Sequence, residues 1–66
     1  MKTGKVKWFN DEKGYGFISG DDGTDIYVHF TGINGRGRRT LLADQSVSYE
    51  EESTDRGMKA VNVTIL

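Results

Sequence analysis

The 66-residue sequence has no cysteine, one histidine and no apolar run approaching the ~20 residues that a membrane span needs. Without cysteine there is neither a disulfide staple nor a thiolate metal site, and a chain with no use for an oxidising compartment is expected in the cytoplasm. A Cys–His pair and a multi-histidine metal site are excluded together, and no serine carries a nucleophile motif around it. The carboxylate pairs Asp21-Asp22 and Glu50-Glu51 fall in turns or at strand ends, where they read as solvated charge. Catalysis therefore fails on inventory, and no cofactor or metal is expected. The opening Met1-Lys2-Thr3-Gly4-Lys5 runs straight into a strand with no apolar signal core, so a soluble, untargeted chain is expected. At this length folding buries only about 60% of the surface the unfolded chain exposes, which predicts one domain over 1–66 of marginal stability.

What the chain does have is unevenly placed. The net charge is −1, which on its face speaks against a polyanionic partner. Residues 1 to 40 nevertheless hold seven of the nine Lys and Arg against five acids, net +2, while residues 41 to 66 hold two against five, net −3. Six of the seven aromatic residues lie in the first 30 positions, so rings and cations share one half and only Tyr49 stands apart.

The densest stretch is Lys13 to Phe30. Lys13-Gly14-Tyr15-Gly16-Phe17-Ile18, a turn at Gly20-Asp21-Asp22-Gly23 and Asp25-Ile26-Tyr27-Val28-His29-Phe30 read as a β-hairpin. Alternation puts Tyr15 and Phe17 on one face with Gly16 and Ile18 on the other, and likewise Asp25, Tyr27 and His29 against Ile26 and Val28. Either face of such a hairpin could be the buried one. A face that also carries Asp25, His29 and Lys13 is a poor candidate for a dry core, so the aliphatic face is expected inward and the rings outward. Exposed rings of this kind form a platform on which nucleobases stack, with Gly14 and Gly16 leaving room for close approach.

Lys5-Val6-Lys7-Trp8-Phe9-Asn10 precedes the hairpin as a strand, giving a three-stranded meander. Strict alternation would turn both Val6 and Trp8 inward, whereas a bulge between them would bring Trp8 out beside the platform. From Thr31 to Asp44 no period is sustained, and a long loop is expected, anchored by Ile33 and Leu41. Its Gly35-Arg36-Gly37-Arg38-Arg39 segment suits phosphate contact and equally suits a merely solvated basic loop. Ser46-Val47-Ser48-Tyr49-Glu50 reads as a fourth strand with Glu50-Glu51-Glu52 as its solvated end, facing away from any polyanion. A turn at Ser53-Thr54-Asp55-Arg56-Gly57 leads to a fifth strand, Ala60 to Ile65. Asn62-Val63-Thr64 matches a glycosylation acceptor, which is chance in a cytosolic chain. No helix of useful length is expected. Five short strands predict an all-β fold, a small closed barrel without open edges, with an SH3-like barrel as the alternative.

These residues resemble the bacterial cold-shock proteins. Lys13-Gly14-Tyr15-Gly16-Phe17-Ile18 is similar to that family's first ribonucleoprotein motif and Ile26-Tyr27-Val28-His29-Phe30 to its second, while Gly4-Lys5-Val6-Lys7-Trp8-Phe9-Asn10 and Asn62-Val63-Thr64 match its opening and closing patterns. The resemblance implies a five-stranded antiparallel OB-fold barrel. It also implies binding of single-stranded RNA and DNA with low selectivity and some preference for pyrimidines, in the role of RNA chaperone or transcription antiterminator. Trp8, Tyr15, Phe17, Tyr27, His29 and Phe30 match positions that stack bases, with Trp8 on the surface; Lys7, Lys13, Asp25 and Arg56 match polar and backbone contacts. Arg38 stands where a stacking phenylalanine is common, trading a ring for charge. Met58 stands where proline is common, which is expected to loosen the turn before the last strand. No membrane contact is expected, and the chain is expected to act mostly as a monomer. The rival class is an SH3-like module for proline-rich peptides, whose grooves commonly use acids where Lys7, Lys13 and the loop arginines stand here.

Overall fold

A computed structural model describes residues 1–34 and 40–66; Arg38 and the glycine-arginine segment around it lie outside the described residues. Five strands, β1 (Lys2–Asn10), β2 (Tyr15–Gly20), β3 (Asp25–His29), β4 (Ser46–Thr54) and β5 (Gly57–Ile65), close into a barrel in the order β1-β2-β3-β5-β4. Four seams are antiparallel as expected, while β3 and β5 close the barrel in parallel through Tyr27↔Lys59 and Val28↔Ala60. Between β3 and the long loop, Phe30–Gly32 form a single 3₁₀ turn. Among the described residues no helix is long and apolar enough to cross a membrane, and no group of three His, Asp or Glu could hold a metal ion.

The core is the inward half of each alternation. Val6, Ile18, Ile26, Val28, Val47, Tyr49, Ala60 and Val63 are buried in one cluster, closed at the ends of the long loop by Ile33 and Leu41. Apart from Tyr49 and Leu41 these are β-branched or small side chains on a pleated surface, so propensity and burial act in the same direction.

Register in β1 is set by one extra residue. Val6 pairs with Ile18 and Trp8 with Phe17, so Lys7 has no partner in the ladder, and the expected bulge lies between Val6 and Trp8. The phase shift keeps Val6 inward and turns Trp8 out. A second irregularity lies between Ser48 and Glu50 of β4: β5 places Asn62 and Val63 opposite Tyr49 alone, and Asn62 takes φ 52°. Left-handed backbone is costly for most side chains and least so for Gly, Asn and Asp, which accounts for the residue type at this bulge.

Three expectations change. β1 begins at Lys2, pairing with β4 through Lys2↔Tyr49 to Lys5↔Ser46. Glu50-Glu51-Glu52 is not the end of its strand: β4 runs on to Thr54, with all three acids paired against β5. The fifth strand begins at Gly57 and not at Ala60, so Met58 lies inside β5, paired with Ser53.

Candidate nucleic-acid interface

The β2–β3 register builds the platform. Tyr15↔His29 and Phe17↔Tyr27 are cross-strand partners on the outer face, while Gly16↔Val28 and Ile18↔Ile26 are partners on the inner one. The bulge adds Trp8 beside them. Ring centroids run without interruption from Trp8 to Phe17 (5.5 Å) and Tyr15 (5.7 Å), and from both of those to Tyr27 (6.0 Å each). These separations are ordinary edge and tilted contacts between rings, which support one another laterally and leave faces toward solvent. Trp8 is 40% exposed and the other three rings are half-buried.

Phe30 reaches the same surface from the 3₁₀ turn. Its backbone N–H donates to the Gly14 carbonyl (2.8 Å), and its ring lies over Gly14, where an added Cβ would sit 2.6 Å from the ring's Cδ1. Gly14 is also at φ 76°, so the position needs glycine twice over. An added Cβ at Gly16 would lie 2.2 Å from the Trp8 carbonyl oxygen. The room that these glycines provide is thus filled by the protein itself, by Phe30 and by β1, where a ligand's approach was expected. His29 stacks 4.6 Å from Phe30, and its Nδ1 accepts from the Thr31 backbone N–H (3.3 Å), which caps the turn and fixes the ring. That bond leaves the other ring nitrogen, Nε2, to carry any proton of the neutral imidazole.

Charged groups border the rings. Lys7 donates to Asp25 at 2.8 Å across β2, an ion pair about half exposed on each side and so of little energetic weight. Lys13 is exposed in the turn before β2, where its backbone N–H donates to the Asn10 side-chain oxygen (2.9 Å). Arg56, on the β4–β5 turn, lines a groove of about 400 Å³ with Phe17, Asp25 and Tyr27. The described candidates therefore lie on the outer face of β1–β3 and its borders, and Arg38 alone falls outside the described residues.

Sequence reasoning missed Met58 and Lys59, which line the same groove, Met58 at 48% exposure. No local pattern could have found them, because they reach the platform only through the parallel β3–β5 seam. The acidic run also departs from expectation: Glu51 pairs with Lys2 at 2.9 Å, and Glu52 lines a cavity with His29 instead of facing away.

Comparison with known proteins agrees with this geometry. Residues 2–66 match the model of the 'Cold-shock' DNA-binding domain. Cold shock protein 1 of Lactiplantibacillus plantarum is 57% identical over 63 residues, 96% of each chain. Cold shock protein CspB of Bacillus caldolyticus is 54% identical over 66 residues, the whole of both. Among solved structures, drosophila Unr CSD456 superposes with a TM-score of 0.80 at 17% identity, over 98% of this chain and 26% of that one, a likeness of fold.

Proposed function

The chain belongs to the cold-shock DNA-binding domain family, and from that premise we propose that residues 1–66 act as a single domain binding single-stranded RNA and DNA. Selectivity is low with a preference for pyrimidines, and the protein works as an RNA chaperone or transcription antiterminator in the cold-shock response, as a cytoplasmic monomer. No catalytic step or cofactor enters this reading. The observation that carries it is the unbroken set of ring contacts from Trp8 through Phe17 and Tyr15 to Tyr27 on a solvent face.

Base faces stack on Trp8, Phe17, Tyr27, His29 and Phe30, with Tyr15 beside them. Stacking tolerates any base, because every base has a π-face, and this is the physical source of low selectivity. Lys7, Lys13 and Arg56 contact phosphates; Asp25 holds Lys7 until a phosphate competes for it, and Arg38 adds charge from the loop. The net charge of −1 does not oppose this, since binding responds to local potential, which the cations bordering the rings set. The test is titration of Trp8 fluorescence with oligothymidine of about six to eight nucleotides, inside the range of roughly 4–16 that one OB fold covers. Saturable quenching is expected. Quenching by a proline-rich peptide with none by oligothymidine would favour a peptide-binding module.

A further inference from the structure

The chain has two methionines, and they occupy unlike places. Met1, 85% exposed, lines a cavity with Lys2, Asp22 and Tyr49, none of them a candidate contact residue. Met58, 48% exposed, lines the groove of about 400 Å³ that holds Phe17, Tyr27, Arg56 and Lys59. Its backbone is fixed there. Met58 pairs with Ser53, and the turn before it is closed by Thr54, whose hydroxyl donates to the Gly57 carbonyl (2.6 Å) and accepts from the Arg56 backbone N–H (3.2 Å). A thioether is polarizable and makes favourable contacts with aromatic rings, so Met58 extends the apolar surface of the platform from β2 and β3 onto β5.

We propose that Met58 is an oxidation site that gates the platform: hydrogen peroxide converts it to the sulfoxide, single-strand binding weakens, and enzymatic reduction restores it. This rests on the platform reading above. The sulfur lone pair attacks one peroxide oxygen and the O–O bond breaks; the sulfur is oxidised as it takes that oxygen, the other oxygen leaves as hydroxide, and the proton of the transferred oxygen passes to it, giving water. Before a strand binds, about half of the Met58 surface is open to so small an oxidant, and a base seated in the groove covers it. Two effects of the sulfoxide act in the same direction. An apolar side chain becomes a polar one that must lose water when a base covers it. Its oxygen also offers Arg56 and Lys59 an acceptor within the groove, in competition with phosphate.

The experiment treats the free protein with hydrogen peroxide, maps the sulfoxides by peptide mass spectrometry, and titrates Trp8 fluorescence with heptathymidine before and after. Once oxidised at Met58, the protein is expected to bind about three- to tenfold more weakly with an unchanged circular dichroism spectrum, and methionine sulfoxide reductases restore the affinity. Heptathymidine bound in advance slows oxidation of Met58 and leaves that of Met1 as it was. Met58→Leu keeps an apolar side chain without sulfur; whatever its own affinity, peroxide leaves that affinity unaltered although Met1 is still oxidised. An affinity that survives oxidation of Met58, an equal fall in Met58→Leu, or a fall accompanied by loss of the folded spectrum overturns the gate while leaving the platform standing. Failure of heptathymidine to quench Trp8 in the untreated protein removes the platform reading and the gate with it.

Discussion

Phe17 and Phe30 expose their rings by different means, and the difference shows in what their removal does. Phe17 projects from a strand whose core contacts are made by its neighbours Gly16 and Ile18, so Phe17→Ala is expected to weaken oligothymidine binding by about 1 to 3 kcal/mol, the usual value of one stack, with an unchanged circular dichroism spectrum. Phe30→Ala is expected to cost a similar amount of binding and also to bare Gly14, against which its ring packs. Asn62 tests the backbone. A β-branched side chain is poorly accommodated at φ 52°, so Asn62→Val should lower stability by roughly 1 to 3 kcal/mol in urea titration, with Asn62→Gly much better tolerated. Tyr49, 2% exposed, has its phenol pushed above the ordinary value of 10.0 by burial first and by Asp22 and Glu51 after. The neutral phenol is thus the form that the fold favours. Its contribution is complete below about pH 10 and is lost as pH rises through the folded value. Stability should fall in strongly alkaline solution, and Tyr49→Phe should blunt the fall. The outward rings were legible residue by residue because Asp25 and His29 share their face; Met58 and Lys59 were not, because nothing near them in the chain announces a strand 30 residues away.

At the level of elements, β1 joins the barrel to the platform. Its bulge at Lys7 lets one strand bury Val6 and expose Trp8, and strict alternation, which would have buried both, fails for that reason. The aromatic motif and a bulge were readable together, since Val6 and Trp8 compete for one face. The parallel seam between β3 and β5 was not, because two paired positions separated by so much chain leave no local period. Nor was the full length of β4, where three like charges read as the solvated end of the strand although the ladder runs through them to Thr54. The close approach of β1 and β2 gives a direct test: Gly16→Ala drives a methyl into the Trp8 carbonyl and should destabilise by about 1 to 3 kcal/mol or more, seen as a lower urea midpoint. Ser19→Ala, in the same ladder opposite Lys5 but at a half-buried position where the side chain only shrinks, should change the midpoint little.

For the whole molecule, the closed sheet carries aliphatics inside, rings on the face of β1–β3 and acids at several points of β4, so that a chain of net charge −1 still presents cations beside its rings. Affinity then divides between stacking, which salt leaves nearly untouched, and phosphate contact, which salt screens. Each phosphate neutralised on a single strand steepens log affinity against log salt by roughly 0.7, so Arg38→Phe should flatten that slope by about this amount and raise affinity at high salt. Parallel lines for the two proteins would show that Arg38 meets no phosphate. The central claim is that exposed ring faces, and not charge alone, hold the nucleic acid. It is tested most directly by comparing Trp8 quenching by oligothymidine with that by duplex DNA of equal length, whose higher phosphate density would favour the duplex if charge alone held the ligand, at one salt concentration. Bases in a duplex already stack on one another and cannot offer their faces to Phe17 or Tyr27 without unpairing, so the single strand should bind far more tightly; equal affinity for the duplex would contradict the claim.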